Sequence, residues 1–175
     1  MRNLSHIFIT FFLFWSSSCD SNEASVCSPP EKPTFSLKNL NPSSGTHGED
    51  IGPESFNDKV TLYYFPFSET WGTCRNRFGS LNTLFIDYGG NDSNLRILGV
   101  GKDDDTPIEA IIENRILPYV KDNEENKVWE TWCPEDRDLF FLDKNSFFNT
   151  KINLTQSFPD NEIKEIIDTL LEMEN

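Results

Sequence analysis

The side chains best suited to covalent chemistry in this sequence are its four cysteines, Cys19, Cys27, Cys74 and Cys133. A cysteine reacts as its thiolate, so its reactivity depends on how far the surroundings lower the thiol pKa. Cys74 is followed by Arg75 and Arg77, whose positive charges favour the thiolate. Thiol chemistry at Cys74 is therefore the first catalytic hypothesis.

Other catalytic classes find little support. The sequence has only His6 and His47, which excludes a zinc site built from several histidines. A Ser-His-Asp hydrolase would have to use His47, which lies in a Ser- and Gly-rich segment. The acidic run at 103–105 lacks the glycine turn and distant glutamate of a calcium loop, so we expect a solvated loop with Asp105 or Thr106 as a helix cap. We predict neither a metal nor a cofactor.

Residues 1–24 have the pattern of an export signal, with Arg2, an apolar run at 7–15 and small residues after it. The run is shorter than the about 20 residues that span a bilayer as a helix. Cleavage is expected near 18/19 or 24/25. The first site would make Cys19 the lipidated residue of a bacterial lipoprotein in the cell envelope, with membrane contact only through that anchor. The second would release a secreted, extracellular protein.

The net charge limits the class of binding partner, and the number of cysteines limits the possible disulfide bonds. The net charge of −14 argues against nucleic acid, whose phosphates attract Lys and Arg. Export makes a disulfide plausible, but Cys27, Cys74 and Cys133 cannot all pair within one chain. We favour a structural Cys27–Cys133 bond, and a Cys74–Cys133 bond competes with it. Sequence alone does not decide between them.

The residues after the signal divide into a lead-in and one α/β domain. Residues 25–56 are rich in Ser, Pro and Gly and predict a loose tether, with an edge strand at 34–40 as the one element in it. Residues 57–175 have the usual size of a single domain. Strands are predicted at 59–65, 94–101, 138–143 and 150–154, and helices at 73–88, from 105 through Ile116, and at 159–172. Residues 119–137 receive no assignment.

The predicted order is β-α-β-α-β-β-α, which is the order of the thioredoxin fold, with a mixed sheet flanked by helices. In this topology the loop after the first strand meets the start of the first helix. That junction contains Trp71-Gly72-Thr73-Cys74. The helix dipole and the free backbone N–H groups there favour a thiolate, which gives Cys74 a second reason to be reactive.

The segment 71–74 falls on the Cys-x-x-Cys frame of the thioredoxin superfamily. The chain resembles the N-terminal domain of selenoprotein P more closely, over roughly residues 26–172. The matching features are Cys27-Ser28-Pro29-Pro30 near the mature start, Val128-Trp129, and Asp138-Leu139-Phe140-Phe141-Leu142-Asp143. The resemblance implies a redox domain with selenocysteine or cysteine at position 71 and a resolving cysteine at position 74.

Trp71 is the departure that weakens the redox interpretation, because it occupies the nucleophile position and cannot exchange a thiol. Arg137 stands about where the thioredoxin superfamily has a cis-proline, with Pro134 three residues earlier, and the selenoprotein P domain is similar in lacking proline there. Because some genetic codes read the selenocysteine codon UGA as tryptophan, residue 71 is hypothesised to be selenocysteine in the protein.

Two functions remain open. The first is a thiol oxidoreductase or peroxidase-like enzyme that uses Cys74 on a thiol, peroxide or protein substrate. The alternative for Cys74, which we favour because its usual partner residue is missing, is a buried small residue left from an ancestral motif. The second is a catalytically inactive domain that binds a partner through the surface around Trp71. Trp71, Trp129 and Trp132 suit such a contact surface, and they suit the core equally well.

Overall fold

A computed structural model of the protein describes residues 27–173. The predicted export signal at 1–24 and the lipidation candidate Cys19 lie outside these residues. Within them the chain forms seven strands, β1 (Leu37–Lys38), β2 (Asp50–Ile51), β3 (Val60–Phe65), β4 (Leu95–Gly101), β5 (Tyr119–Lys121), β6 (Asp138–Leu142) and β7 (Phe148–Asn153), and four α-helices, α1 (Gly72–Asp87), α2 (Glu109–Ile112), α3 (Val128–Trp132) and α4 (Asp160–Glu172).

Five strands form one mixed sheet in the order β5-β4-β3-β6-β7. The strands β3, β4 and β5 are parallel, whereas β6 pairs antiparallel with β3 and with β7. The β-branched and aromatic residues of β3 suit this central position, where every side chain is buried. The predicted mixed sheet flanked by helices is confirmed, and β5 adds a parallel edge strand that the sequence did not reveal.

Alternate residues of β3 serve two different cores, because successive side chains of a strand point to opposite faces. Leu62 and Tyr64 face α1 and α4, where Phe78 and Ile163 also pack. On the other face, Tyr63 and Phe65 contact a second cluster. That cluster includes Phe35, Leu37, Ile51, Trp132 and Phe140.

The long helices agree with their predicted periodicity, and the middle one does not. In α4, Ile163, Ile167 and Leu170 are buried along one face. The helix predicted from 105 through Ile116 is wrong in length, because α2 spans only Glu109–Ile112. Its N-cap is Ile108, so Asp105 and Thr106 do not cap it. The chain turns away at Asn114, which has a left-handed φ of 56°.

The Ser- and Pro-rich lead-in is packed over much of its length, which differs from the expectation of a loose tether at 25–56. Phe35, Leu37, Ile51 and Phe56 are all buried in the second cluster. The predicted edge strand at 34–40 contributes only β1, which pairs with β2 in a separate two-stranded sheet. Apolar residues scattered among the Ser and Pro residues cover the face of the sheet that α1 and α4 leave open.

Candidate functional site at the start of helix α1

The loop 66–71 carries the chain from the end of β3 to the start of α1 and exposes an aromatic side chain there. Trp71 is the N-cap of α1, and its side chain is 56% exposed. Its ring meets that of Phe67 edge to face at 4.9 Å. Trp71 and Phe67 together therefore present contiguous aromatic surface at the start of α1.

Cys74 lies in the first turn of α1 and is fully buried as a free thiol. The Tyr64 hydroxyl donates to the Cys74 carbonyl oxygen at 3.5 Å. Burial and the adjacent Cys74 raise the pKa of Tyr64, while the charges of Arg137 and Arg77 oppose that shift. The two arginines therefore act on the Tyr64 hydroxyl, and the Cys74 side chain is closed to solvent.

Arg137 occupies the position before β6, where the superfamily has a cis-proline. It adopts a left-handed φ of 70°, and no cis peptide bond occurs in residues 27–173. Its backbone N–H donates to the Phe65 carbonyl at 2.7 Å. Its Nε donates to the Thr155 hydroxyl at 3.1 Å, and its guanidinium carbon lies 5.9 Å from the centre of the Phe67 ring.

A second cation borders the same aromatic residues. The Lys102 ammonium lies 4.7 Å from the ring of Trp129 and 5.1 Å from that of Phe67. It also pairs with Asp136 at 3.0 Å. Phe67, Trp71 and Trp129, with Lys102 and Arg137 beside them, are called the aromatic patch below. Cations over aromatic faces hold such side chains in place.

The structure assigns Trp132 to the core, which was one of the two alternatives for it. Trp132 is completely buried and contacts Phe35, Tyr63 and Phe65 in the second core cluster. It cannot belong to an exposed surface. Trp129 is half-buried and donates from its indole N–H to the Val100 carbonyl at 3.2 Å, so it contributes only part of its ring to the patch.

The cysteines in the described residues form one bond. Cys27 and Cys133 are joined in a disulfide with Cα atoms 5.8 Å apart, so Cys74 is the unpaired thiol. This is the pairing favoured from sequence, and the competing Cys74–Cys133 bond is not formed. The disulfide ties the start of the lead-in to the residue after α3, four positions before Arg137.

A set of buried charges directly before Trp71 was missed by the sequence analysis. Glu69 is 1% exposed, and its Oε1 accepts hydrogen bonds from the Tyr119 hydroxyl at 2.9 Å and from Lys121 Nζ at 3.1 Å. Lys121 also pairs with Asp104 at 2.5 Å. Glu69, Tyr119, Lys121 and Asp104 are called the paired-charge network below. It fixes the loop 66–71 to the edge strand β5.

Two glycines of β4 make room for this network. A Cβ atom at Gly101 would overlap Glu69 Oε1 and lie 2.9 Å from the Tyr119 oxygen. A Cβ at Gly99 would lie 2.7 Å from Cε2 of the Tyr119 ring. Glycine inside a strand often marks such a close approach, so these two positions carried the one sequence signal for the network.

The described residues contain no cluster of His, Cys, Asp or Glu that could bind a metal ion. In the same part of the chain, no helix has the length and apolar character needed to cross a bilayer. Asp104, in the acidic run at 103–105, instead accepts from the Thr106 backbone N–H and pairs with Lys121.

Comparison with known proteins identifies the fold. No protein-family model matches the sequence, and no curated protein matches it. Among solved structures, the domain is similar to a Neisseria meningitidis protein assigned as a thioredoxin, at a TM-score of 0.66 and 18% identity over 85% of this chain and 94% of that one.

Two mycobacterial structures extend this likeness. The DsbF protein of Mycobacterium tuberculosis has a TM-score of 0.61 at 16% identity, covering 82% of this chain and 99% of its own. A secreted disulfide oxidoreductase of the same organism, homologous to DsbE, has a TM-score of 0.57 at 14% identity over 78% and 96%. The protein is thus a single α/β thioredoxin-like domain, and the predicted fold is confirmed.

Proposed function

We propose that this chain is an exported protein similar to the selenoprotein P N-terminal domain, and that it binds a protein partner through the aromatic patch. The motifs at 27–30, 128–129 and 138–143 support the family relationship, together with the thioredoxin-like fold. The pattern at 1–24 supports export, as does the secreted protein among the structural relatives.

One observation carries the binding proposal, which is the contrast between Trp71 and Cys74. The residue exposed at the start of α1 is an indole, which cannot exchange sulfur, whereas the thiol one turn later is completely buried. Aromatic side chains are enriched in protein interfaces, where they supply large contact areas. The surface that serves catalysis in the superfamily therefore serves contact in this chain.

Partner capture with matched variants tests the binding proposal. The oxidised protein is immobilised and exposed to extracellular proteins of its source, in parallel with Trp71→Ala, Phe67→Ala and Ile86→Ala. Ile86 is a matched control because it is 52% exposed on the same helix but lies outside the patch. A partner that is lost with both patch variants and kept with Ile86→Ala supports the proposal. Equal capture by all four proteins contradicts it.

Thiol redox chemistry at Cys74 is the second candidate. It is favoured because Cys74 stays free while the other two described cysteines pair. With a peroxide, the Cys74 thiol would become a sulfenic acid as the O–O bond breaks and an alcohol or water leaves, and an external thiol would then reduce the sulfenic acid. Insulin or peroxide reduction that is lost in Cys74→Ser would support this role. Absence of any titratable thiol in the native protein would end it.

The codon for residue 71 provides a separate test. If that codon is UGA, selenocysteine would restore a selenol at the exposed position and make Cys74 its resolving partner. Sequencing the transcript decides this point, since UGG would exclude selenocysteine. A UGA codon would shift the proposed function from binding to redox exchange.

The position of signal cleavage determines whether the domain is tethered to a membrane or secreted. Cleavage before Cys19 would leave a lipidated cysteine and a membrane-tethered protein, whereas cleavage after Ala24 would release a secreted one. Mass spectrometry of the N-terminal peptide distinguishes the two, because a diacylated Cys19 adds the mass of its acyl chains.

A further inference from the structure

A cavity lies beside α1, and none of the residues of the aromatic patch line it. It is a cavity of about 410 Å³ between α1 and the turn that follows α2. Arg75 and Arg115 line it together with the polar side chains of Asn82 and Thr83. This space is called the arginine cavity below. Guanidinium and amide groups are donors, so the lining is suited to an acceptor-rich ligand.

Arg75 has no protein partner for its charge. Its guanidinium makes no hydrogen bond or ion pair with any side chain or backbone group in residues 27–173, and its Nε is buried without an acceptor. A buried donor that lacks an acceptor is costly in a folded protein. The Nη groups of Arg75 also bond no described residue, so they are the donors that a ligand in the cavity would meet.

Arg115 brings a second positive charge to the same place. Its Nη1 donates to the Ile111 carbonyl at 2.9 Å and to the Glu113 carbonyl at 3.0 Å, and its Nη2 donates to the Arg75 carbonyl at 2.9 Å. These bonds fix the guanidinium, yet its Nε also lacks an acceptor. Burial and the charge of Arg75 lower the pKa of Arg115, so the two cations lie close enough to repel each other.

Asn82 supplies a third donor that has no protein acceptor. Its side chain is only 8% exposed, and its Oδ1 accepts the Ile116 backbone N–H at 2.8 Å. The remaining Nδ2 donates to no other described residue. Since the Oδ1 bond fixes the amide orientation, the free Nδ2 is a pre-oriented donor at the cavity wall.

Gly79 allows this arrangement inside a helix. A Cβ atom there would lie 3.1 Å from Arg115 Nη2 and 3.3 Å from its Nε. Glycine weakens a helix interior, so its place in α1 is explained by the guanidinium that lies against the helix.

The charge balance of the chain makes this pair of arginines unusual. The protein has a net charge of −14, yet each of the six ion pairs within residues 27–173 uses a lysine as the cation. Glu113 is the one carboxylate on the cavity lining, and it is exposed. An anion would bring opposite charge to both guanidiniums.

We propose that the arginine cavity binds an oxyanion, a phosphate or sulfate group, between Arg75, Arg115 and the Asn82 amide. Planar guanidiniums match the spacing of oxygen atoms on such groups and form charge-assisted hydrogen bonds with them. The site is independent of the proposed function, because neither Trp71 nor Cys74 contributes to it.

Nuclear magnetic resonance of the exported, oxidised protein tests this proposal. Sodium phosphate is added at constant ionic strength while the Nε–H signals of Arg75 and Arg115 and the side-chain amide of Asn82 are followed. We expect saturable shifts at these groups. Arg75→Gln and Asn82→Asp should each weaken phosphate binding about tenfold or more, since each removes a donor to a charged group.

The variants separate binding from folding and from general charge. Asn82→Asp keeps an acceptor for the Ile116 N–H, removes the free donor and adds a negative charge that repels the anion. Lys38→Gln removes one positive charge from an exposed position on β1 and should bind phosphate like the original protein. Absence of saturable shifts, or equal binding by all variants, would overturn the proposal.

A parallel titration with phosphoserine identifies the source of the anion. Saturation by inorganic phosphate with no gain for phosphoserine assigns the site to a free anion. Tighter binding of phosphoserine assigns it to an anionic group on a larger molecule. Both outcomes support an oxyanion site, and loss of both with Arg75→Gln is expected.

Discussion

The paired-charge network and the arginine cavity both border the first turn of α1, and they differ in whether their charged groups are paired. In the network, the Glu69 carboxylate is nearly inaccessible, and Lys121 and the Tyr119 hydroxyl satisfy it. In the cavity, Arg75 and Arg115 lie close enough for their charges to repel, and within the described residues neither forms an ion pair with a carboxylate.

This difference separates charged groups that stabilise the fold from charged groups that are free to bind a ligand. A buried charge that is paired and hydrogen-bonded is complete within the protein, and removal of one partner leaves the other uncompensated. Two like charges with unpaired donors are not compensated within the protein, so a bound anion would stabilise them. We therefore expect substitutions in the network to cost stability, and substitutions in the cavity to change binding with little effect on stability.

Loss of Lys121 should give the largest effect. Lys121→Met removes the cation from the buried Glu69 carboxylate, and we expect the free energy of unfolding to fall by about 3 kcal/mol. Lys127→Met is the matched control, because Lys127 and Glu130 form an exposed pair one turn apart. That control should change the free energy by less than about 0.5 kcal/mol. Urea denaturation of both variants measures the contrast, and equal effects would contradict it.

A methyl group in the network should have the next largest effect. In Gly101→Ala the new Cβ would overlap Glu69 Oε1, and we expect a loss of about 2 kcal/mol from overpacking. Gly72→Ala is the control, since a Cβ there meets no atom within 4 Å. Because alanine favours helices, the control should be neutral or slightly stabilising. Thermal unfolding monitored by circular dichroism compares the two, and a destabilised Gly72→Ala would refute the steric explanation.

Acid should weaken the exposed end of the network. Although partial burial raises the pKa of Asp104, hydrogen bonds from Lys121 and Thr106 outweigh it and lower the pKa below its ordinary value. A lowered folded-state pKa stabilises the protein above the unfolded-state value near 4, and this contribution is lost as pH falls through the folded pKa.

We expect Asp104→Asn to flatten the decline of stability below about pH 4. Asp103→Asn is the neighbouring control, because Asp103 makes no hydrogen bond to Lys121. Denaturation midpoints measured between about pH 2 and pH 6 test the difference. A decline as steep in Asp104→Asn as in the original protein would show that this carboxylate contributes nothing.

Loss of Arg75 should have the smallest effect on stability. Arg75→Gln removes a like-charge repulsion and no protein hydrogen bond from the side chain, so the free energy of unfolding should stay within about 0.5 kcal/mol. Urea denaturation in an anion-poor buffer measures it. A loss as large as that of Lys121→Met would mean that Arg75 is structural, and the two regions would no longer differ.

The sequence predicted the elements whose apolar residues follow one clear period. The helix α4 repeats its isoleucines and leucines on one face, and β3 is a continuous β-branched and aromatic run. The helix α2 was predicted too long because Ile116 continues the helical spacing. Its backbone N–H bonds to Asn82 instead, a contact between residues 34 positions apart.

The candidate site was also only partly predictable, because some of its contacts join residues that are far apart in the sequence. Trp71 and Cys74 follow from their place at the strand–helix junction, which is local information. The contact between Glu69 and Lys121 spans 52 residues and exists only because β5 pairs with β4. Likewise, the lead-in is composed like a tether, and only the uncovered face of the sheet explains why Leu37 and Ile51 are buried.

The disulfide has a consequence for how the protein responds to proteases. Cys27 and Cys133 are separated by 106 positions, so the covalent ring they close contains β3, α1 and β4. A single backbone nick at any loop inside the ring would leave both fragments attached, and the intact mass would grow only by one water. A nick between Cys133 and β6 would instead leave the peptide that contains β6, β7 and α4 held only by non-covalent contacts. Loops of equal exposure thus differ in whether cleavage breaks the covalent continuity of the domain.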